Sequence, residues 1–486
     1  MKKYLVNFLA VFVIAAISAG LNSCSDDDNP ANPDKSSSKQ IVSFKFEGFS
    51  PVIMGSIDQS LMTVTAEVPA GTDMTSLVPT IAISAKATID PTSGEAQDFT
   101  QPVVYTLTAE DGSQAVYTVT VTEEQSTVND PEELSGNISQ NRILVNRNDG
   151  IDYRISDWIW VENNALLTIE AGVKIEFTSI HSGLSFGENA GLKVEGTIEN
   201  PVIMTGPETN PNNGAWGGLE ISSARADNIW EHLVIENAGL TDGQAVSLAG
   251  DASVKMRFCT IKGSLGYGIN AYGGDIDEFK SCVIMECEKA PILFAHLNQV
   301  SALDMSSTFA YNGENYIEVF YQTYIEETTN INKINIPYLT RGFSVNNGTL
   351  NIEEGVTFLM EYYTEVRVEE GGKINADGKD GSPIIFTVMD EDKDPGYWFG
   401  IKIYNQFSNV LKNCVIEYGG AGDGGANLDL SEGKAELENV ALKHSLAYGI
   451  IIDENSDITH SGVTFESCPE GNVYNWTTDE TLDELP

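Results

Sequence analysis

A duplication governs what this chain can fold into. Leu167-Thr168-Ile169-Glu170-Ala171-Gly172-Val173 returns as Leu350-Asn351-Ile352-Glu353-Glu354-Gly355-Val356, 183 positions later. Asn200-Pro201-Val202-Ile203 returns as Ser382-Pro383-Ile384-Ile385, and Trp216-Gly217-Gly218-Leu219-Glu220-Ile221 as Trp398-Phe399-Gly400-Ile401-Lys402-Ile403. Ser264-Leu265-Gly266-Tyr267-Gly268-Ile269 returns as Ser445-Leu446-Ala447-Tyr448-Gly449-Ile450, offset by 181. Landmarks in one order at a near-constant offset define two copies of a unit, about 135–296 and 320–475. A shorter period runs inside each copy. Ile235, Ile261 and Ile284 are spaced 26 and then 23 apart, and so are Ile416, Leu442 and Phe465. Short β-branched runs with Gly or Asn at the corners cannot each bury a core. Stacked as rungs of a solenoid they can. The period suits a leucine-rich repeat or a parallel β-helix. The Leu-x-x-Leu-x-Leu signature is missing and the corners are Gly, Asn and Asp, so the spacing predicts a β-helix of about a dozen coils. The stretch 297–345 carries few landmarks and reads as a loop region.

Composition narrows the function classes. The chain has 486 residues, with 71 acidic side chains against 27 Lys and Arg, a net charge of −44. Such a surface repels phosphate backbones, which excludes nucleic acid as a partner. Charged residues are only 20% and glycines number 44, which argues against helical bundles and coiled coils.

The N-terminus is an address. Lys2 and Lys3 precede an apolar stretch from Tyr4 to Gly20, then Leu21-Asn22-Ser23-Cys24. A charged start and a short apolar run describe a signal peptide over 1–24 rather than a spanning helix. The small residue before Cys24 resembles the lipobox of bacterial lipoproteins, and Ser25-Asp26-Asp27-Asp28 resembles the surface-export signal of Bacteroidetes lipoproteins. The resemblance implies acylation of Cys24 and a lipid anchor in the bacterial outer membrane, facing the exterior. Residues 25–39 are polar and read as a flexible tether.

From 40 to 123 the pattern is short alternating runs with turns. Val103–Thr108 and Ala115–Val121 flank Ala109-Glu110-Asp111-Gly112-Ser113, a hairpin signal. A segment of this size and pattern predicts an immunoglobulin-like β-sandwich, followed by a linker over 124–134. The hairpin phrase resembles Ig-like modules near the lipid anchor of Bacteroidetes surface proteins, which implies a spacer. From 135 to 486, the phrases LTIEAGVKIEF, GLKVEGTIENPVIMT, AWGGLEI and LVIENAG resemble right-handed parallel β-helix proteins of the pectin-lyase-like superfamily. The expected fold class is therefore all-β, a small sandwich followed by a duplicated right-handed parallel β-helix. Scaffold phrases imply a fold and not an activity.

Polysaccharide lyases need an Arg or Lys base, and hydrolases need paired carboxyls at a controlled separation. Family motifs such as Asp-Asp after Gly, or Gly-His-Gly, do not occur in the repeat. Arg142, Arg147, Arg154, Arg225, Arg257, Arg341 and Arg367 are scattered, which counts against a lyase. Acidic loops are the remaining material. Asp423 lies in Gly419–Gly425 with Asp429 six residues on, and Asp242 is its first-copy equivalent. Asp423 and Asp429 are thus the catalytic candidates, and Asp242 and Asp423 the candidates for holding Ca²⁺. A Gly/Asp turn at a solenoid corner accounts for the same residues, and duplication favours the turn.

Aromatic platforms are a second source of sites. Trp216 and Trp398 share one repeat position and read as a structural rung. Trp158, Trp160 and Trp230 lack an equivalent Trp in the other copy and are the expected glycan contacts. Tyr321, Tyr324, Tyr362 and Tyr363 are further platform residues, and Tyr397 also lacks a counterpart. The five histidines show no metal spacing. Cys259 and Cys282, one coil apart, fit either a bridge or two buried thiols, and Cys287, Cys414 and Cys468 complete the set.

These readings predict a lipid-anchored surface protein whose β-helix binds an extended polysaccharide or host surface glycan without catalysis. The alternatives are a polysaccharide lyase or glycoside hydrolase, and a purely structural surface protein. The acidic surface favours neutral or cationic glycans over polyuronates unless Ca²⁺ bridges the charges.

Overall fold

The computed structural model describes residues 35–69, 72–123, 130–147, 150–239, 243–422 and 425–486. Cys24, Asp242 and Asp423 lie outside the described residues. The chain divides into two units, 1–127 and 128–486.

In the first unit two sheets enclose one core. Ile53–Met54, Ile41–Phe46 and Thr80–Ile83 form an antiparallel three-stranded sheet. Ser56–Asp58, Thr63–Val68, Gln114–Glu123, Val103–Thr108 and Thr88–Asp90 form the other, in that order. The predicted hairpin is present, with Tyr105 paired to Tyr117, and Gly112 supplies the turn at φ +86°. Phe44, Phe46, Phe99, Tyr105 and Tyr117 fill the interior. Thr63–Val68 pairs in parallel with Gln114–Glu123, while its other neighbour is antiparallel.

The second unit is a parallel β-solenoid with three strands per coil. It begins at Glu132–Leu134, inside the segment read as linker, because that strand already pairs in parallel with Tyr153–Ile155. Alternation within each short strand sends one set of side chains inward, where identical positions of successive coils stack about 4.8 Å apart. One inward column runs Ile169, Val194, Trp230, Met256, Phe279, and every member is buried. Trp230 therefore belongs to the core and is not an exposed contact. Its indole Nε1 donates to the Leu192 carbonyl at 3.1 Å.

One sheet runs the length of the solenoid with thirteen strands, from Trp158–Val161 to Thr464–Glu466. In the first copy it takes the second strand of each coil, including Gly218–Ile221. In the second copy it takes the first strand, including Cys414–Glu417, whose first-copy equivalent Leu233–Glu236 lies in a different, eight-stranded sheet. The second copy thus enters the stack one face out of step.

The shift happens across 297–345, which is built of coils and not a loop. The 3₁₀ turn Leu297–Ala302 stands where a strand is due, and Thr328–Ile331 packs on it. The next coil carries four strands, Thr308–Ala310, Ile317–Val319, Thr323–Ile325 and Thr328–Ile331. Thr308–Ala310 ends the first copy's eight-stranded sheet, and its exposed edge is satisfied by a side chain. Asn335 Oδ1 accepts from Phe309 N at 3.1 Å and Asn335 Nδ2 donates to Phe309 O at 2.7 Å. An amide with one donor and one acceptor reproduces the ladder that the missing strand would have made.

Candidate functional site

Where the two copies meet, the corner that follows the thirteen-stranded sheet carries a run of aromatics. The six consecutive strands are Ile269–Ala271, Ile292–Phe294, Ile317–Val319, Tyr338–Thr340, Thr357–Met360 and Ile384–Thr387. Immediately after them come Tyr272, then His296, then Phe320 and Tyr321, then Arg341, then Tyr362 and Tyr363; the last strand's loop supplies Tyr397 and Phe399. At about 4.8 Å per coil this ridge extends about 24 Å parallel to the solenoid axis.

Ring contacts join it. Tyr272 lies 5.6 Å from Phe320 and 5.4 Å from Tyr321, and their two hydroxyls share a hydrogen bond. His296 stacks on Tyr321 at 5.6 Å. The Arg341 guanidinium sits 4.3 Å over the Phe320 ring, and its Nε reaches Glu361 at 3.3 Å. Tyr362 packs 5.4 Å from Tyr397, and Tyr363 5.2 Å from Phe399. The rings remain accessible, Tyr321 at 43% and Tyr362 at 62%. A buried rung would explain none of this exposure. Tyr363 holds φ +56°, a left-handed corner conformation shared with Tyr418 and His444, which follow later strands of the same sheet.

Two strips flank the ridge. On the outer surface of the long sheet, Asn270, Leu293, Glu318, Leu339, Leu359 and Thr387 form one row. Leu293 and Leu339 point outward yet are only 7% and 4% exposed. Glu318 is set between them and accepts from the Tyr267 hydroxyl at 2.7 Å. Burial pushes the Glu318 carboxyl up, and the charge of Glu314 and of Glu361 acts in the same direction; the Tyr267 bond and Arg341 oppose it. Burial likewise raises the Tyr267 and Tyr316 phenols. A cleft of about 740 Å³ opens beside this row, lined by Glu314, Tyr316, Leu359, Ile385, Thr387 and Lys393 among others.

On the other side of the corner, Arg367, Lys402 and Asp429 follow one another in register. Glu365 pairs with Arg367 and with Lys402, each at 2.9 Å, and Lys402 lies 5.0 Å over Phe399. The first copy has Ser185, Glu220 and Ser247 at these positions.

The residues singled out in the sequence scatter. Trp160 is 49% exposed at the first strand of the long sheet, in the same outer row as Asn270 but with Ser185, Glu220 and Ser247 between them. Trp158 lies flat on Gly183 and Gly217, where any Cβ would meet its ring at 2.7 and 2.6 Å. Asp429 is engaged, accepting from Tyr404 at 2.7 Å and from the Ser431 hydroxyl at 2.7 Å. No group of three His, Cys, Asp or Glu suited to a metal ion occurs among the described residues. Cys259, Cys282, Cys287, Cys414 and Cys468 are free thiols. Tyr324 is exposed on Thr323–Ile325, outside the ridge. Tyr272, Phe320 and Glu318 carry no sequence expectation, while Arg341 is expected only as one of the scattered arginines and His296 only as a residue without metal spacing. Tyr272 held the available signal, as an aromatic whose second-copy equivalent is Asp453.

Comparison with known proteins bears on both units. Residues 41–121 match the family described as SGBP, N-terminal, a glycan-binding group. Residues 136–262 match the pectate-lyase-like beta helix domain. Among solved structures, a putative glycoside hydrolase from Bacteroides thetaiotaomicron is 34% identical over 20% of this chain and 28% of its own length, with a TM-score of 0.17. A putative secreted protein from Bacteroides fragilis is 20% identical over 18% of this chain and 96% of its own, with a TM-score of 0.15. The chain therefore spans well under half of the first of these. No curated protein matches it significantly.

Proposed function

We propose that this protein binds an extended, neutral glycan at the cell surface, along the ridge from Tyr272 to Phe399. The observation that carries the reading is the line of accessible, non-duplicated rings that runs parallel to the axis and is interrupted at one coil by Arg341. The strand spacing is close to the length of one pyranose unit, so successive sugars of an extended chain meet successive coils of the ridge. Sugar faces stack on aromatic rings, and the strip of Arg367, Lys402 and Asp429 beside them supplies hydrogen bonds to hydroxyls. The glycan-binding character of the matching N-terminal family supports the same role. In this reading residues 1–24 are a signal peptide, Cys24 carries the lipid and 25–39 hold the folded units off the outer membrane.

Neutral glycans are preferred because a chain of net charge −44 repels polyuronates. Affinity electrophoresis of the purified protein through gels containing xyloglucan, β-mannan or laminarin tests the proposal. Retardation by at least one of them, abolished when Tyr321 and Tyr362 are both replaced by Ala, is expected. Equal retardation of that double variant would remove the ridge from the argument.

A further inference from the structure

The last coils carry a second group of rings, on the sheet that follows the ridge's corner. Tyr448 opens the strand Tyr448–Ile452, and Gly471–Asn475 pairs with it in parallel one coil on. The Tyr448 and Tyr474 rings stack at 4.7 Å and 16° from parallel, and Trp476 stands edge-on to Tyr474 at 5.1 Å and 74°. Other residues close the end of the stack. Glu480–Leu482 turns back antiparallel, and Leu482, paired with Val473, packs against the core. Trp476 is left 54% exposed, whereas a ring that closed the core would be covered. The first-copy equivalents of Tyr474 and Trp476 are Leu293 and Ala295, so the fold at these positions needs neither ring. Polar groups edge the platform. The Tyr474 hydroxyl donates to Asp479 Oδ1 at 2.6 Å, and Asn475 Oδ1 accepts from Thr477 N at 2.9 Å. One register row joins these rings to the strip beside the ridge, running Arg367, Lys402, Asp429, Ile451, Tyr474. Gly471–Asn475 lies three strands beyond Ile401–Ile403, which Phe399 precedes. At about 4.8 Å per strand the platform stands about 14 Å past the ridge's end.

We propose that Tyr448, Tyr474 and Trp476 form a second, separate stacking site, which engages glycan chains long enough to run from the ridge along this row and makes the protein select for chain length. The proposal rests on the ridge being a glycan site. A pyranose carries C–H groups on its faces and hydroxyls around its rim, and an exposed indole face with carboxylate, amide and phenol groups at its edge matches that division. At one sugar per coil the ridge takes about five sugars, and about three more reach the platform. Once the ridge holds a chain, the chain's continuation is confined beside Trp476, and the second contact forms within the complex at high effective concentration. A shorter chain meets the ridge alone. The platform by itself offers too few stacking faces to retain a chain, so its contribution appears only on top of the ridge's.

The test compares the whole purified protein with Trp476→Ala and Trp476→Tyr. Affinity electrophoresis in xyloglucan, β-mannan and laminarin measures the polymer, and titration calorimetry measures fragments of the retained polysaccharide about five backbone sugars long. Trp476→Ala is expected to bind the polymer about tenfold more weakly and the fragment as the wild type does. Trp476→Tyr, which keeps a ring at the position, should stay close to the wild type with both. Retention of the polymer by Trp476→Ala equal to that of the wild type overturns the platform and leaves the ridge standing. An equal loss for polymer and fragment also overturns it, since Trp476 would then act by supporting the ridge. No retention of the wild type by any of the three overturns the ridge reading and this proposal with it. Matching circular dichroism of the three proteins establishes that the variants are folded.

Discussion

Trp216 and Trp398 make the same hydrogen bond on different faces of the solenoid. Each indole Nε1 donates at 2.8 Å to a backbone carbonyl, Glu236 for the first and Glu417 for the second, and both rings are buried. The strand after Trp216 belongs to the thirteen-stranded sheet, while the one after Trp398 belongs to an eight-stranded neighbour. The hydrogen bond survived duplication while the placement about the axis did not.

The shared bond and burial predict similar but separate penalties. Replacing either Trp by Ala should cost about 3–5 kcal/mol, the usual loss for a large buried aromatic. Coils in a solenoid contact mainly their neighbours, so the damage should stay in the copy that carries it. Hydrogen exchange should rise around Phe177, which stacks on Trp216 at 3.8 Å, in the first variant. The second variant should leave that region protected.

Asn335 offers a sharper test of the seam. Asn335→Leu would leave the Phe309 N–H and carbonyl without their partner, at a cost of about 1–3 kcal/mol. Asn335→Asp keeps an acceptor for the N–H but no donor for the carbonyl, and should fall between the two. Urea unfolding of the three proteins orders them; a neutral Asn335→Leu would mean the edge is satisfied in another way.

Glu318 also makes a statement about stability and pH. Its folded pKa is raised, chiefly by burial, so the folded state holds a proton that the unfolded chain has begun to lose. Its contribution is therefore fullest below the ordinary carboxylate value of 4.5 and is lost as pH rises through the higher folded value. Glu318→Gln should remove that decline, gaining stability relative to the wild type on the alkaline side. Asp227, lowered by its hydrogen bonds to Arg225, has the opposite sign and loses its contribution as pH falls below 3.8. Urea midpoints from pH 3 to 8 for both proteins measure the difference.

On the binding side, Tyr321→Ala should weaken the retained glycan about tenfold, about 1.4 kcal/mol. Trp230→Ala should destabilise the first copy and leave the affinity of the folded protein unchanged. Titration calorimetry separates the two. Polygalacturonate should bind poorly and gain affinity only with Ca²⁺; equal affinity with and without chelator would refute the charge argument.

The fold was legible because the constraint that produces it repeats. Val234, Thr260 and Val283 pair one above the other in the solenoid at the 26- and 23-residue spacings read from the chain. Trp230, expected as a glycan contact, is a core residue for a reason the two copies hold between them. Its equivalent is Leu411, also inward and buried, and a position apolar in both copies is a core position whether or not both residues are Trp. Glu318 and Arg341 were beyond such reasoning. They lie in the stretch where the period breaks, and their neighbours are set by which strand follows which around the corner. Asp429, a catalytic candidate beside a Gly-rich loop, accepts from Tyr404 and Ser431.

The one-face offset between the copies has a consequence for how such a molecule acquires anything unique. Two units stacked in phase would present each surface feature twice, along the same line and with the same aspect, like a printed pattern. Out of phase, they place unrelated strands side by side on the one sheet they share, and combinations arise there that neither unit holds alone. Tyr272 belongs to one copy, Tyr362 to the other, and Tyr321 to the coil that absorbs the slip. Lengthening by repetition supplied the scaffold; the slip in phase supplied a place on it that occurs once.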